Sequence, residues 1–288
     1  MKEIKFNNWR KSAFIFSTIL VIGSFISIAF KGFNFSIDFT GGVLIELSQS
    51  GEEVSTQNIR ETIKDLKIND FSVQRTEDGL ILIKIGKKNE ENYLVLSNLL
   101  QQTLNSKFLK TDIELIKIDF VSPSIGKELA LKVIISVLIS LVAILLYIGI
   151  RFQLRYSIGG VAALTHDIFI TMGFISLFQI PFDLTIIAAI LTVLGYSIND
   201  SVVIFDRLRE SFQMIKNKTN AEIIQIALNK TLSRTLITAF TTLIAILAII
   251  LIGGSILKPF ALVIFFGISI GTFSSIFISP IFLYKKTN

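Results

Sequence analysis

The chain has 288 residues, of which 51% are hydrophobic and 17% charged, with a formal net charge of +6, one histidine and no cysteine. Soluble domains carry roughly a quarter charged residues; here the charges gather between long stretches that have almost none, which is the composition of a polytopic membrane protein. The missing cysteines exclude disulfides, thiol catalysis and thiolate metal sites, a lone histidine cannot build a histidine metal cluster, and no metal or organic cofactor is expected.

A membrane-crossing helix needs about 20 mainly apolar residues. The first such stretch covers residues 12–30, preceded by Lys2, Lys5, Arg10 and Lys11. Its apolar core outlasts a secretory signal and no A-x-A-like site follows it, so it is expected to remain as an anchor. Next comes a polar segment, 31–127, expected to fold as a small domain. It opens with Asp38-Phe39-Thr40-Gly41-Gly42, whose glycines permit a turn or hinge; by spacing alone this is a flexible junction. Val43–Leu47 is expected to be a strand, and Ser55–Leu66 a helix with Ile59, Ile63 and Leu66 on one face. Phe71–Arg75 and Leu80–Ile85 alternate around Glu77-Asp78-Gly79, a hairpin signal. Asn92–Leu104 is expected to be helical, and Asp112–Val121 alternates again at Ile113 and Leu115. The order βαββαβ predicts a ferredoxin-like domain, a fold that by itself argues for no function.

Five further apolar stretches follow, at residues 132–150, 156–178, 184–205, 232–252 and 260–284. The predicted fold is an all-α membrane bundle of six transmembrane helices carrying an inserted α+β domain, divided as 1–30, 31–127 and 128–288. Lys and Arg concentrate at the N-terminus, at Arg151 and Arg155, at Arg207, Arg209, Lys216, Lys218 and Lys230, and at Lys285 and Lys286, whereas the alternate short loops offer only Lys258. By the positive-inside rule both termini are expected in the cytoplasm and 31–127 in the periplasm, which accounts for the basic surplus without nucleic acid. Segment 206–230 is expected to be an amphipathic cytoplasmic loop. Its Thr219-x-x-Glu222 capping box opens a helix with Ile223, Ile224 and Ala227, expected to lie on the interface.

Charge inside a spanning helix is costly, about 2.5–3.5 kcal/mol on insertion scales, and usually faces the bundle interior or a wet cavity. Asp200 is the sharpest case, with Tyr196 and Ser197 on its helical face and Asn199 beside it. Arg234 falls at a similar depth on the next stretch, with Thr238, Thr241 and Thr242 continuing its face. An Asp200–Arg234 ion pair is expected, which protonation of Asp200 would weaken, letting the helices shift. A structural Asp200 and a snorkelling Arg234 remain the alternative. His166 and Asp167 lie mid-helix; a proton relay and a buried histidine satisfied by its neighbour both stand. Asp183 is expected to cap a helix, and Gly267-x-x-x-Gly271 with Ser274 and Ser275 to allow close helix contact. No P-loop, zinc pattern or nucleophile elbow is present, so an ion gradient is the expected energy source and no enzyme chemistry is expected. One charge crossing 100 mV supplies about 2.3 kcal/mol.

Five segments carry a family resemblance: Phe35-Ser36-Ile37-Asp38-Phe39-Thr40-Gly41-Gly42; Val121 to Leu129; Leu164-Thr165-His166-Asp167; Leu191 to Glu210; and Asn229 to Thr235. On these the chain resembles the SecD/SecF family of protein-export membrane proteins, on its SecF side, within the wider resistance–nodulation–division superfamily. The resemblance implies a subunit that couples the proton-motive force to late steps of preprotein translocation across the bacterial inner membrane. It implies SecD, the SecYEG translocon, YajC and the translocating preprotein as partners, within membrane lipid. It places the family's essential helix-four aspartate on Asp200 and its helix-five arginine on Arg234, and the first signature on Asp38, Thr40, Gly41 and Gly42. Ser36 and Ser122 stand where the family often has glycine. The competing readings are a small-molecule or lipid exporter of the same superfamily and a translocon scaffold that moves no protons.

Overall fold

A computed structural model of the chain describes residues 4–66, 68, 71–76, 79–86, 93–152 and 154–284. Lys2, the Glu77-Asp78 turn, Asn92, Lys285 and Lys286 lie outside the described residues. The elements in order are α1 (Phe6–Lys31), α2 (Ile37–Thr40), β1 (Gly42–Gly51), α3 (Thr56–Asp65), β2 (Phe71–Arg75), β3 (Ile81–Ile85), α4 (Tyr93–Lys107), β4 (Thr111–Val121), α5 (Pro123–Arg151), α6 (Leu154–Leu177), α7 (Leu184–Met214), α8 (Asn220–Ile252) and α9 (Gly254–Phe277), followed by a 3-10 turn, Ser279–Leu283. They form two compact units: Met1–Asn34 with Ile134–Asn288, and Phe35–Val133.

The smaller unit is an antiparallel sheet in the order β2-β3-β1-β4. Strand alternation sends every second side chain to one face. Val43, Ile45 and Leu47 of β1 lie opposite Ile85, Ile83 and Ile81 of β3, and all six are buried against Ile59 and Ile63 of α3 and Leu100 and Leu104 of α4. Each such side chain contributes about 1.5–3 kcal/mol. The Ser55 hydroxyl accepts from the Asn58 amide at 3.2 Å and starts α3, as Ser does at an N-cap.

The Asp38–Gly42 segment is packed rather than a loose junction. Asp38 sits in the first turn of α2, and the Thr40 hydroxyl donates to the carbonyls of Ser36 and Gly41 at 3.2 and 3.0 Å. Gly41 and Gly42 have φ of 70° and 127°, a region that excludes most side chains. Gly42 already pairs with Val121, and a Cβ on it would lie 2.5 Å from the Ile85 carbonyl oxygen. Gly41 is dictated by its conformation, and Gly42 by conformation and close approach together.

Among the described residues six helices are long and apolar enough to cross a membrane: Phe6–Lys31, Ile125–Arg151, Tyr156–Leu177, Leu184–Met214, Asn220–Ile252 and Leu257–Ile281. Half or more of the apolar windows of α6, α7 and α9 is buried, so these three form the centre; α5 and α8 leave most of theirs outside. The expected glycine contacts form. A Cβ at Gly267 would run into Val193, and one at Gly271 would press on Ser197 Cβ at 3.1 Å, so α9 lies directly on α7. Asp183 caps α7, accepting from the Ile186 amide at 2.9 Å.

Segment 206–230 differs from expectation. It is not a loop with its own interfacial helix: α7 continues through it to Met214, and α8 starts at Asn220 and runs unbroken to Ile252. Thr219 and Glu222 make the predicted capping box. Nothing between them and Ile252 stops the helix, because that stretch has neither glycine nor proline. Its apolar face does not lie on the interface either: Ile224, Ala227 and Leu228 are buried with Phe205, Leu208 and Ile276.

Candidate functional site

The bundle interior holds a polar node around Asp167, which is fully buried on α6. Its Oδ2 accepts from the Ser197 hydroxyl of α7 at 2.6 Å and from the Ser274 hydroxyl of α9 at 2.7 Å. Its Oδ1 lies 3.0 Å from His166 Nδ1, and His166 Nε2 lies 2.7 Å from the Ser17 hydroxyl of α1. A carboxylate, if ionised, only accepts hydrogen bonds, and in that form of Asp167 the facing Nδ1 is the protonated ring nitrogen. Ser17 then donates to Nε2 when the ring is neutral. One carboxylate thus ties α6, α7 and α9 together, and its histidine extends the network to α1. The α7–α9 seam continues with Ser201 and Ser275, whose hydroxyls are 3.1 Å apart.

Asp200 stands one helical turn beyond Ser197 on α7. It is 4% exposed, and its Oδ2 is buried without a hydrogen-bond partner among the described residues. The Tyr196 hydroxyl on the same helix and the Thr235 hydroxyl on α8 are likewise buried without partners. Among the described residues no ion pair within 4.0 Å joins Asp200 to Arg234. The expected salt bridge is therefore not formed in this arrangement. Arg234 is an exposed residue of α8, and instead lines a cavity of about 420 Å³ with Lys230, Asp206 and Glu210.

Asn199 does not join Asp200. It is exposed and lines a separate cavity with Ala143, Ile144 and Ile198, because adjacent residues on a helix point about 100° apart. Asp38, Thr40, Gly41 and Gly42 belong to the smaller unit and form their own packed corner. Their neighbour there is Gly126, where a Cβ would meet the carbonyl oxygens of Phe39 and Asp38 at 2.9 and 3.2 Å. Ser17 was the unforeseen member of the polar node. The signal available for it is a stripe of small polar residues on an apolar span: Ser17, Ser24 and Ser27 are all buried.

The profile of the protein export membrane protein SecD/SecF C-terminal family matches residues 101–288, and that of the SecD/SecF GG motif matches residues 26–48. The chain is 39% identical over 289 residues to the protein translocase subunit SecF of Rickettsia bellii (strain OSU 85-389), covering 99% of this chain and 95% of that one. It is 40% identical over 287 residues to the SecF subunit of Rickettsia prowazekii (strain Madrid E), covering 99% and 92%. The crystal structure of SecDF, a translocon-associated membrane protein from Thermus thermophilus, superposes with a TM-score of 0.87 at 33% identity. That match covers 97% of this chain and 38% of the SecDF chain, so the chain spans well under half of that longer protein. SecDF in its super-membrane-facing form matches at a TM-score of 0.72, again at 33% identity, covering 99% and 39%.

Proposed function

The chain belongs to the SecD/SecF family of protein export membrane proteins, and from that premise we propose that it serves as the SecF subunit of a protein translocase, using the proton-motive force to drive late steps of preprotein translocation. Its relatives of nearly full length carry the translocase-subunit name, which favours this reading over an exporter of small molecules or lipids. In this reading it is a multi-pass protein of the bacterial inner membrane with both termini in the cytoplasm. The smaller unit is a ferredoxin-like domain in the periplasm; its strand order β2-β3-β1-β4 suits the split βαβ pattern. SecD is the partner that completes the unit. SecYEG, YajC and the preprotein are the wider assembly.

The observation that carries the proton step is the Asp200 carboxyl oxygen, buried in the bundle without a hydrogen-bond donor among the described residues. Burying a charge without a partner costs several kcal/mol. Two arrangements relieve that cost. A proton on Asp200 removes the charge, or a shift of α8 brings Arg234 into contact. Alternating between them converts proton uptake and release into relative movement of α7 and α8. The Asp167 node holds α7 against α6 and α9, so the movement falls on the exposed helix α8. Protons are the coupling ion and no organic cofactor takes part.

The test is proton flux in vesicles containing this chain reconstituted with its SecD partner. Asp200→Asn is expected to abolish flux and export while the complex still assembles. Undiminished flux in that variant would show that the protons do not pass through Asp200, and undiminished export without any flux would leave only the scaffold role.

A further inference from the structure

Beside Asp200, the basic end of the bundle holds two cavities of about 420 Å³ each, and both are bordered by Tyr147 of α5 and Val202 of α7. Their linings differ in kind. The first carries Arg151, Arg207, Lys230 and Arg234 against two acids, Asp206 and Glu210. Asp206 is taken by Arg151 at 3.5 Å, and Glu210 by Arg207. Among the described residues Lys230 and Arg234 have no ion-pair partner, so the cavity has an uncompensated positive charge at its wall. The second is lined by Ala143, Ile144 and Ile198, with Asn199 as its polar member. Sharing Tyr147 and Val202 as walls, the two cavities lie side by side, and taken as one slot they have a cationic end and an apolar end.

We propose that this slot between α5 and α7 binds one anionic phospholipid, with its phosphate at Lys230 and Arg234 and an acyl chain in the apolar cleft beneath Tyr147. Basic recesses between membrane helices take anionic headgroups because the phosphate loses much of its hydration and gains charge-assisted hydrogen bonds in return. A free phosphate would use the cationic end and leave the apolar end unfilled. A neutral lipid would fill the cleft and leave Lys230 and Arg234 without an anion. An acidic lipid satisfies both ends. Tyrosine at the junction suits a ring with one side in hydrocarbon and its hydroxyl at headgroup depth. The assignment needs only the membrane placement of the bundle and does not depend on the proton step. It adds one consequence for that step: a phosphate held by Arg234 competes with Asp200 for the same guanidinium.

The experiment is native mass spectrometry of the full chain in detergent, with phosphatidylglycerol or phosphatidylcholine of identical acyl chains at equal concentration. One phosphatidylglycerol is expected to stay bound in preference to phosphatidylcholine. Lys230→Gln is expected to reduce that preference about fivefold, the factor that corresponds to the roughly 1 kcal/mol carried by each basic group at a membrane surface. Ile144→Trp, which fills the cleft, is expected to lower retention of both lipids. Should that variant fail to fold, Lys230→Gln alters only an exposed side chain and carries the test alone. Equal retention of the two lipids, or an unchanged preference in Lys230→Gln, overturns the proposal. Displacement by excess inorganic phosphate would make the slot a free-anion site, and loss of the lipid on adding the SecD partner would make it a protein contact; either result also overturns it.

Discussion

The Ser197 hydroxyl donates to Asp167 Oδ2 at 2.6 Å, which fixes α7 one turn before Asp200. The two buried aspartates therefore play different parts. Asp167 has hydrogen-bond partners on both oxygens, whereas Asp200 has an oxygen with none.

Replacing Asp167 should cost stability in a graded way. Asp167→Ala leaves the Ser197 hydroxyl buried without its acceptor, a loss that costs about 1–3 kcal/mol, while Ser274 keeps the Gly271 carbonyl at 3.0 Å. Asp167→Asn keeps an acceptor oxygen and should cost clearly less. Thermal melting of the two variants in detergent reads the difference. Equal melting temperatures would mean that the node does not hold the helices together.

Asp200→Asn should behave in the opposite way. It removes a charge that lacks a donor, so melting should stay at or above the wild-type temperature while transport is lost, a trade of function for stability. A large drop in melting temperature would show instead that the carboxylate is structural.

The α7–α9 seam predicts a contrast between glycines. Gly271→Ala places a Cβ 3.1 Å from Ser197 Cβ and 3.6 Å from Asp167 Oδ2, and overpacking of this kind costs about 1–3 kcal/mol. Gly195→Ala on the same α7 helix meets nothing within 4 Å and should be neutral or slightly stabilising. Comparable losses in both variants would argue against a close α7–α9 contact.

In the smaller unit, Gly42→Ala forces a side chain into φ 127° and against the Ile85 carbonyl. The loss should exceed the roughly 1 kcal/mol of an ordinary glycine exchange. Hydrogen exchange should report it as faster opening of β1 and β3, with the protection of α7 and α9 unchanged. Unaltered exchange in the sheet would mean that the corner can relax freely.

Much was legible in the sequence because it depends on neighbours along the chain. Uninterrupted apolar runs mark six spans, since lipid demands that each backbone satisfy its own hydrogen bonds. The period of two in Ile81, Ile83 and Ile85 and the capping residues Asp183 and Thr219 are equally local signals, and all appear in the structure. Helix ends were less legible. Segment 206–230 carries enough charge to look like a loop, yet its apolar residues find a buried partner surface and the helices extend into it from both sides, leaving only 215–219 outside them.

The tertiary structure alone decided which polar groups meet. Ser17 reaches His166 across a separation of 149 residues, and Ser274 reaches Asp167 across 107. No pattern within either helix specifies the other. The same holds for the gap between Asp200 and Arg234 and for the outward turn of Asn199. The membrane fixes that a helix must form, but the rotation and depth at which helices pack are set by side chains meeting across their interface, and that information is not carried by any one segment.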